Sequence, residues 1–197
     1  MRSLPILACA LALACTDQPP DARSEGVPAE TAESASLHGG GAPASAARDV
    51  TIFFSRGEST APVRRTAEGD PVPLEARLRE LLAGPTDAER AAGVESWFSE
   101  ATAGQLRSAS VDSAGIATID FHDLRTLIPN ASSSAGSARL LRELNATVFE
   151  DARVRAIDYR IDGSCAAFWD WLQYGCQRVE RPGRLVPVDG DALVPES

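Results

Sequence analysis

Apolar residues recur along residues 49–163 at two periods, and each period predicts one kind of element. Runs that are apolar throughout, or that alternate with polar residues, predict β-strands. Leucines spaced three or four positions apart predict amphipathic helices. The predicted elements are a strand at 49–56, a helix at 73–86, strands at 104–112 and 115–123, a helix at 137–151 and a strand at 154–163. This order predicts an α+β domain, a two-layer sandwich with helices on one face of a mixed sheet (β-α-β-β-α-β).

The first predicted helix carries clear start and stop signals. Pro73 suits its first turn, and Gly84 followed by Pro85 marks its end. Thr86 then has Glu89 three positions later, which is the spacing of a capping box, so a second, short helix is predicted to begin there. The apolar face of the first helix is formed by Leu74, Leu78, Leu81 and Leu82.

Two stretches lack either period and are predicted to be loops. Residues 57–73 are rich in glycine, proline and charge, so most of them read as a loop, with a short strand at 63–66 as an option. Residues 129–138 form a loop of small side chains. The strand at 154–163 alternates, and we predict one buried face on it. That face consists of Ile157, Tyr159 and Ile161.

Residues 1–15 have the pattern of an export signal that ends in a lipidated cysteine. One arginine precedes an apolar run that is too short to cross a bilayer but has the size of a secretory signal peptide. Cys15 closes the run and resembles the cysteine of a bacterial lipobox, although Ala12 stands where leucine is usual. Cys9 follows too short an apolar run for this role. We predict lipidation at Cys15; the alternative is an ordinary signal peptide cut nearby.

The segments that flank the predicted domain have few large apolar side chains. Residues 16–48 are rich in alanine, serine, glycine, proline and glutamate, so they bury too little surface to offset the entropy of ordering. We therefore predict a flexible linker at 16–48 and a flexible tail at 181–197, with one domain at 49–180 between them. The linker would hold that domain a short distance from a membrane.

The charge of the chain excludes one class of partner. The formal net charge is −9, and all 19 basic residues are arginine. Nucleic-acid binding needs a basic face, so no nucleic-acid partner is expected. No run of basic residues would bind anionic lipid either, and membrane attachment would depend on the acyl chains at Cys15. The predicted location is extracytoplasmic, lipid-anchored to a bacterial membrane, or secreted or periplasmic if Cys15 is not lipidated.

The stretch CAAFWDWLQYGC places Cys165 and Cys176 around a cluster of aromatic residues. Their spacing is not that of a CxxC redox site, and zinc would need two more ligands, with His122 the only histidine of the domain. Export favours a disulfide, which closes a loop of a size expected to contribute about 3 kcal/mol. We predict a disulfide-stapled C-terminal helical cap over the core.

The aromatic residues of the predicted cap have two alternative interpretations, burial in the core and docking of a partner. At helical spacing, Phe168, Trp171 and Leu172 share one face, and Trp169 lies at its edge. Burial of these side chains is the favoured interpretation. The alternative is a docking surface, since tryptophan and tyrosine are enriched at binding hot spots. Its residues would be Trp169, Trp171 and Tyr174.

Candidate catalytic residues are few. Asp120 and His122 share a strand face, but the chain has no GxSxG motif to supply a nucleophilic serine beside them. The serines at 132–134 and Ser164 read as loop residues. The sequence therefore predicts no catalytic, cofactor-binding or metal-ligating residues, and no cofactor.

Four segments together resemble a known family. VTIFFSR, LRELLAGPTDAERAAGVES, LRSASVDSAGIATIDF and VRAIDYRIDG, which span about 49–163, are similar to the Germane (GerMN) domain of sporulation, germination and other bacterial envelope lipoproteins. The resemblance implies a non-enzymatic interaction or envelope-assembly module, similar in topology to the ring-building motifs of secretion complexes. It implies envelope proteins as partners, with a homo-oligomer as a further option. An exported enzyme that acts on the cell wall or a small ligand is the alternative.

Overall fold

A computed structural model describes residues 47–69 and 72–188. Within these ranges the chain forms seven strands, four helices and two short 3-10 turns. The strands are β1 (Ala47–Arg56), β2 (Ser59–Glu68), β3 (Leu106–Val111), β4 (Ile116–Phe121), β5 (Ala156–Ile161), β6 (Gln177–Glu180) and β7 (Arg184–Pro187). The helices are α1 (Leu74–Leu82), α2 (Asp87–Ala91), α3 (Ser134–Phe149) and α4 (Cys165–Trp171), and the 3-10 turns are Glu100–Thr102 and Pro129–Ser132.

Five strands form a mixed sheet in the order β3-β4-β5-β6-β7. β4 and β5 run parallel, and the other neighbouring pairs are antiparallel. The predicted β3–β4 hairpin is confirmed. The expectation that the strand at 154–163 is the last one, with one buried face, is wrong. β5 is the central strand, and Asp158 on its second face is only 3% exposed because it pairs with Arg178 of β6.

β1 and β2 form a separate two-stranded antiparallel sheet along their whole length. The prediction of a loop over most of 57–73 is therefore wrong, and the suggested strand at 63–66 is the middle of a ten-residue strand. The inward face of β2 consists of small and charged residues, so the alternation of apolar and polar residues that indicates a strand is weak here. Arg65 on that face forms an ion pair with Glu89 of α2, which shields its charge.

The predicted helix ends are largely confirmed. The capping box forms as expected, because Thr86 Oγ1 accepts from the Glu89 N–H at 3.3 Å and Glu89 Oε2 accepts from the Thr86 N–H at 2.7 Å. The third helix starts earlier than predicted. Ser133 Oγ accepts from the Gly136 N–H at 3.1 Å and begins α3 at Ser134, so most of the predicted loop at 129–138 is a 3-10 turn followed by helix.

The core lies between the sheets and the helices. α1 packs against β3 and against the β1–β2 hairpin, α3 packs against β1 and α1, and α4 packs against β5. The predicted α+β class, with helices packed on a mixed sheet, is confirmed, although the element order is longer than predicted. The largest fully buried side chains include Trp169, Tyr159, Phe54, Phe98, Phe121 and Phe168.

The predicted boundaries of the domain require two corrections. The region from residue 181 was expected to be a flexible tail, but Arg184–Pro187 form β7, which pairs with β6 and thereby continues the sheet. β1 begins at Ala47, two residues inside the predicted linker. The predicted signal peptide, Cys15, the rest of the linker and the tail beyond residue 188 lie outside the described residues.

Gly136 allows α3 to approach the preceding turn. A Cβ atom at this position would lie 1.9 Å from the carbonyl oxygen of Asn130. We expect Gly136→Ala to lower the free energy of unfolding by about 1–3 kcal/mol, because backbone has to move to relieve the overlap. Urea unfolding followed by tryptophan fluorescence measures this. Gly104→Ala is the control, since nothing lies within 4 Å of its Cβ position; equal losses in the two variants would contradict the explanation.

Candidate functional site

The C-terminal cap is held by the predicted disulfide. Cys165 and Cys176 are bonded, with their Cα atoms 5.6 Å apart, and the prediction of this pair is confirmed. α4 begins directly after β5, and Ser164 Oγ accepts from the Ala167 N–H at 3.1 Å as its N-cap. The disulfide therefore joins the first turn of α4 to the chain that leaves the helix toward β6.

A cluster of stacked aromatic rings lies under the cap. The Phe168 ring centroid is 5.0 Å from that of Tyr159, 6.1 Å from that of Phe121 and 5.3 Å from that of Trp169. Burial of Phe168 and Leu172 is confirmed. Trp169 was expected at the helix edge and was a candidate for docking, but it is fully buried because it also packs on Tyr159. It therefore cannot belong to a docking surface in this conformation.

The other two residues of the predicted docking surface differ in exposure. Trp171 is partly buried, with its ring edge-on to Phe168 at 6.1 Å. Tyr174 is 41% exposed and lies edge-on to Trp169 at 6.1 Å. The cap thus presents one well-exposed aromatic ring, and most of its aromatic surface stabilises the core.

Asp120 and His122 belong to a surface ion-pair group. Asp120 accepts from Arg107 Nη1 at 2.8 Å and from the Gly163 N–H at 2.9 Å, so it joins β3 to the turn that precedes α4. His122 is 54% exposed, and its Nδ1 lies 3.8 Å from Asp162 Oδ1. These contacts give Asp120 a structural role. Its side chain is only 13% exposed, so Asp120 is largely shielded from solvent, whereas His122 is not.

The neighbouring polar residues also serve the fold. Both Asp123 carboxylate oxygens accept from the guanidinium of Arg125 at 2.8 Å, and these hydrogen bonds lower the pKa of Asp123 to about 2. Ser133 and Ser164, which were expected to be loop residues, are the N-caps of α3 and α4. No group of three or more metal-ligating side chains converges among residues 47–69 and 72–188.

A buried carboxyl group lies on the inner side of α3. Glu143 is 0% exposed and accepts hydrogen bonds from Ser55 Oγ at 2.6 Å, from Ser96 Oγ, and from Arg139 Nε at 3.3 Å. It thereby joins α3 to β1 and to the segment that follows α2. Burial raises the pKa of Glu143, whereas the hydrogen bonds from Ser55 and Ser96 and the charge of Arg139 act in the opposite direction.

Glu143→Gln is expected to remove a pH-dependent loss of stability. Because the folded-state pKa lies above the ordinary value of 4.5, the contribution of Glu143 is fully present below that value and is lost as the pH rises through the folded-state pKa. The wild-type free energy of unfolding, minus that of Glu143→Gln, should therefore fall as the pH rises. Urea unfolding at a series of pH values measures this difference, and parallel profiles for the two proteins would contradict it.

Two hollows border the outer side of α3. The first, of about 610 Å³, is lined by Trp97, Arg139 and Arg142 together with Glu58 at the β1–β2 turn. The second, of about 290 Å³, is lined by Phe149 and other residues near the end of α3. Arg142 lines both hollows.

Sequence reasoning missed Glu143 and the outer side of α3. A signal for Glu143 was present, since it falls among Leu140, Leu144 and Val148 on the apolar side of the helix, where a charged residue needs partners. Ser55 and Ser96 are far from it in sequence, so only the fold brings them to the carboxyl.

No helix in the described parts of the chain has the length and apolar character to span a bilayer.

Comparison with known proteins finds a family match for this chain. Residues 51–164, more than half of the chain, match the Germane family, described as sporulation and spore germination. The tandem GerMN domains of the sporulation protein GerM from Bacillus subtilis are 20% identical, with a TM-score of 0.45, and the match covers 81% of this chain and 51% of that chain. This chain therefore spans about half the length of that GerM chain.

A proposed lipoprotein from Clostridium perfringens is also similar in structure. It is 15% identical, with a TM-score of 0.36, and the match covers 59% of this chain and 75% of that chain. No curated protein matches the chain. On the family match over residues 51–164, the chain belongs to the Germane (GerMN) family.

Proposed function

We propose that this Germane-family chain is a non-enzymatic, extracytoplasmic protein that binds other proteins of the bacterial envelope. The observation that carries the proposal is the disulfide between Cys165 and Cys176. Disulfides form and persist outside the reducing cytoplasm, so the bond supports an exported domain. The lipobox-like end of the signal at Cys15 supports attachment to a membrane through acyl chains.

The arrangement of the polar groups supports a protein-binding function rather than a catalytic function. Asp120 is held by Arg107 and by a backbone N–H, Asp123 by Arg125, and Glu143 by two serines and Arg139. Asp120 and Glu143 therefore join separate elements of the fold, and Asp123 pairs within its own loop. An exported domain of this kind contributes to the envelope through its surface, and its partners in this proposal are envelope proteins or further copies of the same chain.

Fractionation and crosslinking of cells test the proposal. Wild-type protein should be recovered with membranes, and Cys15→Ala should be released into the soluble fraction, while both are crosslinked to the same proteins. Cys9→Ala is the matched control and should stay with membranes, because Cys9 follows too short an apolar run to be lipidated. Soluble wild-type protein would contradict the anchor, and the absence of any specifically crosslinked protein would contradict the binding role.

A further inference from the structure

The outer side of α3 is a helix face that stays exposed at its start and half-exposed toward its end. Its exposed and half-buried residues are mostly small, and they run for most of the helix. They are Ala135, Ala138, Arg142, Asn145, Ala146 and Phe149. One hollow of about 610 Å³ lies toward the start of α3, another of about 290 Å³ lies toward its end, and Arg142 lines both. We use the term α3 furrow for this face together with the two hollows.

Arginine outnumbers carboxylate among the described residues that line the α3 furrow. Arg139, Arg142 and Arg181 line it, and Glu58 is the carboxylate among its described lining residues. The chain has a formal net charge of −9. A local excess of arginine on such a protein favours an anionic ligand at this position.

The three arginines differ in what they already bind. Arg139 pairs with Glu143 and with Glu95, where Nη2 and Oε2 are 3.2 Å apart. Arg181 donates to the carbonyl oxygens of Phe149, Asp151 and Val154. Arg142 has no hydrogen-bond or ion-pair partner among the described residues, so its guanidinium is free to pair with a carboxylate from outside.

The apolar surface of the α3 furrow favours an acidic peptide over other classes of anionic ligand. The Trp97 ring lies under the Arg139 guanidinium at 5.2 Å, and the Phe149 ring lies under that of Arg181 at 4.9 Å. A phosphate polymer or a lipid headgroup has no apolar groups to place against these rings. A peptide that combines acidic and apolar side chains does, and it gains from burying them.

The length of the α3 furrow also suits a peptide. From Ala135 to Phe149 the helix rises about 21 Å, at roughly 1.5 Å per residue. An extended chain covers that distance with about six residues, at roughly 3.3–3.6 Å each. Such a segment can reach both hollows and pass Arg142 between them.

We propose that the α3 furrow binds an extended acidic segment of a partner protein. One of its carboxylates pairs with Arg142, and its apolar side chains occupy the two hollows. The inference rests on the proposed binding function, because it assigns that function a surface and a chemical class of partner.

Fluorescence anisotropy on the full purified chain tests the inference. The probe is a fluorescein-labelled octapeptide of glutamate, phenylalanine and leucine, and its control has glutamine in place of glutamate. Arg142→Glu should weaken binding of the acidic peptide by about tenfold or more, because the pair is replaced by repulsion. Arg64→Glu, a matched charge reversal at an exposed position of β2, should change the affinity by less than about twofold, since it alters only long-range charge. Arg142→Gln is a milder variant, and unchanged unfolding midpoints establish that the variants fold.

In the binding measurements with these ligands, four results would overturn the inference: no binding of the acidic peptide, equal binding by wild type and Arg142→Glu, equal binding of the glutamine peptide, or tighter Arg142-dependent binding of polyphosphate or of anionic lipid vesicles. A further result would also overturn it: the chain self-associates, the Arg142→Glu variant does not, and the peptide does not compete with this association. The ligand of the α3 furrow would then be a second copy of the chain. The crosslinking experiment keeps the two proposals separate. If Arg142→Glu still crosslinks to the wild-type partners in cells, the α3 furrow is the wrong surface and the binding function stands.

Discussion

Phe168→Ala is expected to lower the free energy of unfolding by about 3–5 kcal/mol, the range measured for large-to-small changes of buried aromatic residues. Phe168 is fully buried, and its ring contacts those of Phe121, Tyr159, Trp169 and Trp171. These neighbours come from β4, β5 and α4, so they have little freedom to collapse into the cavity. Urea unfolding, monitored by circular dichroism because the variant alters the surroundings of two tryptophans, measures the loss.

Tyr174→Ala is the matched control for this prediction. Tyr174 belongs to the same disulfide-closed segment and also contacts Trp169, but 41% of it is exposed. Its removal should lower the free energy of unfolding by about 1 kcal/mol or less, since the vacated space opens to solvent. If Phe168→Ala cost no more than Tyr174→Ala, the aromatic cluster would not be the tightly packed core that the structure describes.

Removal of the disulfide by the double change Cys165→Ser and Cys176→Ser is expected to lower the free energy of unfolding by about 3 kcal/mol. The two cysteines are 11 residues apart in sequence, and closing a loop of this size restricts the unfolded chain by about that amount. The loss should exceed this loop-closure contribution, because Cys165 is 5% exposed and the serine places a hydroxyl in an apolar site. Urea unfolding without reductant measures it.

Reductant supplies the control for the disulfide. Wild-type protein treated with reductant should lose about 3 kcal/mol, and no more than the double variant loses, because its thiols stay in place. The variant itself should not respond to reductant, because it has no Cys165–Cys176 bond to reduce. Mass spectrometry of non-reduced peptides from protein extracted from cells shows whether the bond exists there. Two free thiols at Cys165 and Cys176 in that sample would contradict both the predicted loss and the proposed exported location.

Elements with strong local signals were predictable. α1 has an apolar face at helical spacing and a Gly84-Pro85 stop, α2 has its capping box, and β3 and β4 alternate on either side of a turn. Each of these signals depends on residues within a few positions of one another, and the structure keeps them. The pairing of Cys165 with Cys176 was also predictable, because the predicted export and the spacing of the cysteines left a disulfide as the simplest outcome.

Elements that depend on distant partners were not predictable. β2 has charged residues that do not predict a strand. It is stabilised by pairing with β1 and by the ion pair of Arg65 with Glu89, and neither contact is evident from the sequence. β7 extends the sheet through β6, which lies beyond the cap. Trp169 was placed at a helix edge by periodicity, but α4 contacts β5 in a way that buries it.

The candidate site divides in the same way. Cys165 and Cys176 and the aromatic character of the cap were evident from the sequence, whereas the Glu143 network and the α3 furrow were not. Arg142 is one of 19 arginines, and nothing in the chain distinguishes it from the others. Its place between two hollows, without a partner among the described residues, follows from how α3 packs on β1.

By itself, the sequence determined the α+β class, the family, the main helices, the central hairpin and the disulfide, because hydrophobic period, caps, turns and cysteine spacing act over a few neighbouring residues. Only the tertiary structure decided which strands became neighbours, which aromatic ring was buried, which carboxyl entered the core and which arginine came to lie between the two hollows. These outcomes depend on contacts between residues tens of positions apart, and such contacts exist only once the chain has packed.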